Sequence, residues 1–168
     1  MIEATRDPVP FAWGSLAVAG CVFTVLVAFA GRYGYHRDEL YFLEAGRHLA
    51  WGYPDQPPLA PLMARLMDDL APGSVTVLRL PSAVVAASIV PVTAALTRQF
   101  GGERGAQLLA AGSVGVSLIL VGAGHTLSTM TFNLLAWVLI LLMVVVISRR
   151  EGAPVAGRRF PRRRWPAR

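Results

Sequence analysis

"TMTFNLLAWVLILLMVVVI", residues 129–147, contains no ionisable side chain and is apolar almost throughout. A helix facing water keeps a polar side, so an apolar run without one reads as a helix whose solvent is hydrocarbon. At about 1.5 Å rise per residue it reaches across a bilayer core about 30 Å thick. Three more largely apolar runs lie upstream: Phe11 to Gly31, Val77 to Leu96 with Pro81 and Pro91 inside it, and Ala106 to Ala123. Proline is tolerable in such spans, because neighbouring helices satisfy the freed backbone groups.

The whole composition agrees with this reading. Of 168 residues, 54% are hydrophobic and 15% charged, which is too apolar for an ordinary soluble domain. The expected fold class is all-α: a polytopic membrane protein of about four transmembrane helices, with two interfacial helices in its first extracytoplasmic loop.

The net charge is +6, and every basic residue other than histidine is an arginine. From Arg149 onward eight arginines face the single Glu151, leaving +7 in the tail and, from +6 overall, −1 in the rest. The basic balance therefore belongs to one segment, and no nucleic-acid groove is implied. Residues 1–148 read as the membrane region and residues 149–168 as a basic, disordered cytoplasmic tail. Cys21 is the sole cysteine, so neither an intrachain disulfide nor a cysteine-based zinc site can form. It ends "LAVAGC", which has the look of a lipoprotein cleavage box. The apolar run continues beyond it, however, and Glu3 and Asp7 precede it, so the segment reads as a span.

Arginine placement sets the expected orientation. The N-terminus with Arg6, the short Arg98–Arg104 connection and the Arg149 tail form the cytoplasmic side. The long segment from Arg32 to Thr76 and the short "GAGHTLS" turn form the outer side. Within the long segment, "DELYFLEAGRHLA" predicts a short helix with Asp38 at its N-cap and Gly52 beyond its end. The proline-dense turn "WGYPDQPPL" follows. Leu59, Leu62, Met63, Leu66, Met67 and Leu70 then recur on one helical face, with Arg65, Asp68 and Asp69 opposite, and "APG" ends the run. Such a helix should lie flat in the membrane interface.

Single residues here have plain structural explanations. Asp38 could serve only as a cap. Glu44 with Arg47 or His48 suits a helix-surface pair. Tyr33, Tyr35, Tyr41 and Trp51 suit an aromatic belt at the headgroups, and Pro57 and Pro58 suit the start of a helix. Their order is more specific.

"HRDELYFLEAGRHLAWGYPDQPPLAPLMARL" resembles the first extracytoplasmic loop of bacterial GT-C glycosyltransferases of family 39, related to the protein O-mannosyltransferases. The carriers are Asp38-Glu39 and the turn Tyr53-Pro54-Asp55-Gln56-Pro57-Pro58-Leu59. "RLPSAVVAASIVPVTAALTRQFGG" resembles the family's second span and "STMTFNLLAW" its entry into a later one. The resemblance covers about residues 10–147.

It implies a plasma-membrane enzyme that moves a sugar from a polyprenyl-phosphate carrier to a hydroxyl on a protein, lipid or glycan. By this resemblance Asp38 is the base that takes the acceptor proton, with inversion at the anomeric carbon. Glu39 is placed with it as a second catalytic carboxylate that orients Asp38, or that binds an ion or partner loop. Arg37, His36, Tyr53, Asp55 and Gln56 are implied as substrate contacts, Arg37 through the fit of guanidinium to phosphate. No cofactor is expected, and three scattered histidines give no metal-ligand spacing. Asn133 stands where related proteins commonly carry aspartate and receives no role. Members of the family run to several hundred residues with further spans, so this chain is expected to represent an N-terminal part, truncated or out of frame at its arginine-rich end. The alternatives are a small non-catalytic membrane protein whose outer loop binds a partner, and a transporter fragment. Transport is disfavoured because no acidic residue falls within the four spans.

Overall fold

The computed structural model describes residues 9–151. Within them the chain forms seven α-helices and no strand: α1 (Gly14–Ala30), α2 (Arg37–Arg47), α3 (Leu59–Leu70), α4 (Val75–Gln99), α5 (Arg104–Gly115), α6 (Leu118–Gly124) and α7 (Thr129–Glu151). The all-helical reading holds. α7 runs to Glu151, three residues past Ser148. Most of the tail, residues 152–168, lies outside the described residues, as does the N-terminal segment 1–8.

α4 is the hub, packing against α1, α3, α5, α6 and α7. It starts where the Ser74 hydroxyl accepts from the Val77 amide at 3.4 Å, and it keeps Pro81 and Pro91 inside its length. Its buried surface is built largely from small residues, including Ala83, Ala86, Val90 and Ala94. They let neighbours come close. A Cβ at Gly124 of α6 would sit 2.7 Å from the Ala86 methyl and 2.9 Å from Leu26, so only glycine fits that crossing.

α4 and α7 are each long and apolar enough to cross a membrane, and α5 with α6 make a third candidate if the bent pair is one span. α1 is apolar but only 17 residues long. The third apolar stretch, expected as one helix, is two helices that meet at 56°. The break follows from Ser117, whose hydroxyl accepts from the Leu120 amide at 3.2 Å and caps a new helix. In α7 only 6% of the apolar stretch is buried, against 44% in α4. A helix that is apolar all round yet mostly unburied is suited to hydrocarbon, not water. Membrane association follows from these helices.

The two ends of the bundle are tied differently. At one end Gln107 accepts from the Ala12 amide at 2.9 Å and donates to Pro10 and Gly102 carbonyls, while Arg98 donates to the Val9 carbonyl at 2.6 Å. Residues 9–12 and the α4–α5 connection thus share that end. The α1–α2 loop, α2, α3 and the α6–α7 turn gather at the other.

α3 packs on α2 through Ala60, Pro61 and Ala64, all buried. Gly46 of α2 makes this possible, for a Cβ there would lie 2.8 Å from the Pro61 carbonyl oxygen. Phe42, Leu78 and Leu127 complete this second small core. Leu59, Leu62, Leu66 and Leu70 point away from it, 41%, 38%, 44% and 72% exposed.

Candidate functional site at one end of the bundle

The site begins with a charge in an apolar helix. Arg79 lies in the first turns of α4, 2% exposed, and its guanidinium meets Glu39 of α2, which is fully buried. The pairing is bidentate, with Nε to Oε1 at 2.7 Å and Nη2 to Oε2 at 2.8 Å. Glu39 also accepts from the His36 amide at 2.8 Å and the Leu127 amide at 3.0 Å. The remaining arginine donors go to the carbonyls of Ala30, Tyr33 and Gly34. One ion pair thus joins the end of α1, the start of α2, α4 and the turn before α7. Burial alone would raise the Glu39 carboxyl. The hydrogen bonds from Arg79, His36 and Leu127, with the arginine's charge, outweigh it and hold the group below the usual carboxylate range.

This arrangement corrects one expectation. Asp38 is not the N-cap of α2. His36 is, with Nδ1 accepting from the Asp38 amide at 3.3 Å while Glu39 reaches back to the His36 amide. That reciprocal pair is a capping box, and it leaves the Asp38 carboxylate unused by the backbone. The Asp38 side chain is half exposed, with Oδ1 3.5 Å from Arg37 Nε and Oδ2 3.9 Å from His36 Nδ1. Arg37 extends into the open, its side chain 93% exposed.

The proline-rich turn comes back to the same helix. Tyr41, three residues after Asp38 and so on the adjoining part of its face, donates its hydroxyl to Asp55 at 2.9 Å. That carboxylate pushes the Tyr41 phenol up from its ordinary value. The Tyr53 hydroxyl lies 2.9 Å from the Ala45 carbonyl oxygen and 3.1 Å from that of His48, fastening the turn to the end of α2. The Gln56 carbonyl accepts from the Tyr53 amide at 3.3 Å, and the Gln56 side-chain nitrogen is buried without a partner. Of the implied substrate contacts, Tyr53 is therefore occupied in holding the turn. Glu44 pairs with Arg47 at 3.1 Å on an exposed face.

Beside the Arg79–Glu39 pair opens a pocket of about 470 Å³, lined by Tyr33, Gly34, Tyr35, His36, Arg79, His125 and Thr126. Asp38 does not line it, but its carboxylate lies 3.9 Å from Nδ1 of the lining His36. Among the described residues no group of three His, Cys, Asp or Glu side chains assembles that would hold a metal ion. Asn133 is exposed on α7, away from these contacts.

No protein-family model, curated protein or solved structure matches this chain. Arg79, His125 and the Leu127 amide went unforeseen in the sequence reading. A signal for the first was present, because a lone arginine one turn inside an apolar run needs a buried partner, and Asp38-Glu39 are carboxylates at a neighbouring span border. Nothing comparable marks His125 or Leu127, whose roles arise from the folding of a distant turn onto α2.

Proposed function

We propose that this chain forms the donor-side membrane region of a glycosyltransferase that passes a sugar from a polyprenyl-phosphate carrier to a hydroxyl acceptor. The observation that carries the reading is the contrast between the two adjacent carboxylates. Glu39 is saturated by four donors, whereas Asp38, its backbone fixed by the same helix start, has a half-exposed carboxylate that accepts no hydrogen bond and has only Arg37 at 3.5 Å and His36 at 3.9 Å beside it. A general base needs that combination of fixed position and unspent lone pairs. Asp38 takes the acceptor proton as its oxygen attacks the anomeric carbon, and the lipid phosphate leaves from the opposite face. Glu39 and Arg79 position it, Arg37 and His36 lie within reach of phosphate oxygens, and Asp55 and Gln56 border the acceptor side.

In this reading α1, α4, the α5–α6 pair and α7 make four crossings. α2 and α3 lie in the outer interface of the plasma membrane, with the leucine row of α3 in the acyl region. The grouping of chain segments at the two bundle ends supports that topology. Asp38→Asn is the test, because asparagine matches aspartate in size and the cap belongs to His36. Transfer from a polyprenyl-phosphate sugar should fall by about 10²–10⁴-fold at unchanged melting temperature. Transfer at the parental rate would remove Asp38 as the base.

A second reading rests on a different feature. Leu49, Ala50, Trp51, Pro58, Leu59 and Leu62 line an apolar cleft of about 440 Å³ beside the α2–α3 turn, and Trp51 is fully exposed. A non-catalytic membrane protein that docks a partner there would be indifferent to Asp38→Asn but sensitive to Trp51→Ala.

A further inference from the structure

The charges of this chain divide by end. Five arginines between Arg32 and Arg79 share the Glu39 end with six carboxylates between Asp38 and Asp69, which leaves that end at −1. The other eleven arginines face Glu3, Asp7, Glu103 and Glu151, a balance of +7.

The packing brings these eleven to one place. Arg98 donates to the Val9 carbonyl, which joins the α4–α5 connection to the residues that follow Arg6. α7 packs along α4, and the Leu127 amide just ahead of it donates to Glu39 beside Arg79 at the start of α4. Both helices therefore leave the Glu39 end together, and α7 delivers Arg149 to the end that holds Arg98 and the exposed Arg104. Among the described residues of that end the carboxylates are Glu103 and Glu151, outnumbered by Arg98, Arg104, Arg149 and Arg150. The described fold thus offers no acidic surface there with which the remaining arginines of the sequence could pair.

We propose that this end of the molecule binds a membrane surface of net-negative lipid headgroups. α7 is suited to hydrocarbon, with only 6% of its apolar stretch buried, so its last turn comes out at the headgroup level. Arg158 and Arg159 follow Glu151 by seven and eight residues, at most about 30 Å of extended chain. The arginines are therefore confined beside the surface that α7 leaves, where anionic lipid attracts each of them within a Debye length. Guanidinium fits the headgroup phosphates. Phe160 and Trp165, set between the arginines, suit the boundary between headgroups and acyl chains. A nucleic acid is the poorer partner, because it would have to draw these residues off a surface of the same sign of charge as itself. The proposal concerns the end opposite Asp38 and is independent of the transferase reading.

The experiment places a fluorescent label on Ala167→Cys of the full chain, with Cys21→Ser, in lipid nanodiscs that carry a headgroup quencher on a neutral lipid. Discs of phosphatidylcholine alone are compared with discs to which phosphatidylglycerol is added. The ratio of quenched to unquenched label should rise about tenfold or more with phosphatidylglycerol. It should fall back as ionic strength approaches 1 M, where the Debye length is about 3 Å. Changing Arg158, Arg159, Arg162, Arg163 and Arg164 together to glutamine should abolish the response to phosphatidylglycerol. A label on Gly52→Cys, at the end of charge −1, should not respond to it. Equal quenching of residue 167 in both kinds of disc overturns the proposal, as does a response that survives high salt or the five substitutions. Release of the label by short duplex DNA stoichiometric with the protein would assign the arginines to nucleic acid and overturn it as well. Should the substituted protein misfold, the lipid and salt dependence of the parent decide alone. Loss of the transferase reading through Asp38→Asn leaves every one of these outcomes unchanged.

Discussion

Buried among four donors, Glu39 costs little only while Arg79 is there to meet it. Arg79→Met should therefore cost about 3–5 kcal/mol, because it strands a carboxylate in an apolar site. The double change Glu39→Leu with Arg79→Met should recover much of that loss, since replacing both partners leaves no charge unpaired. Chemical unfolding in micelles compares the three proteins. Acid adds a second check. The folded Glu39 carboxyl sits below its ordinary value of 4.5, so its stabilisation is complete above that value and is lost as the pH falls through the folded value. The parent should lose stability steeply below about pH 4.5, and Glu39→Gln should show a flatter acid limb from a lower plateau. At this scale the Asp-Glu pair was legible as a charged motif at a span border, but which of the two carboxylates meets a buried partner was not. The i, i+1 spacing sends the two side chains in different directions, and only the packed position of α4 decides which one meets Arg79.

α3 shows how an element divides its residues. Its apolar periodicity was readable, yet the leucines do not make the contact with α2. Ala60, Pro61 and Ala64 do, because Gly46 allows backbone to approach backbone. Gly46→Ala should lower the melting temperature by an amount that corresponds to about 1–3 kcal/mol of overpacking. Leu62→Asp and Leu66→Asp should leave the fold intact, their parent side chains being 38% and 44% exposed. If the α2–α3 hairpin lies in the bilayer surface as proposed, the same changes should weaken its insertion there. Quenching of Trp51 by brominated lipid, measured against the parent, checks this. Strong destabilisation by either aspartate would place the leucine row inside the protein instead. The broken third stretch belongs to this scale as well. Hydropathy continues across Val116 and Ser117, and only the serine's hydrogen bond to Leu120 reveals the bend.

For the molecule as a whole, the two differently tied ends predict opposite exposure of residue 52 and residue 148. Cysteines at Gly52 and Ser148, in a background where Cys21 is serine, should label from opposite sides of sealed membranes. Gly52 suits the purpose because a Cβ there meets no atom within 4 Å. Labelling of both from one side would overturn the proposed topology and its placement of the α2–α3 end on the outer face.

What the sequence by itself determined is the helical class, the apolar stretches that call for a membrane, and the position of a charged motif at the end of one of them. Those properties are local: run length, periodicity and the exclusion of charge act within some twenty consecutive residues. The tertiary structure alone decided the Glu39–Arg79 pair 40 residues apart, the Leu127 amide that reaches Glu39 across 88, and the pocket that His125 shares with His36. Each depends on several helices packing at once around the small residues of α4, and no local pattern records that sum.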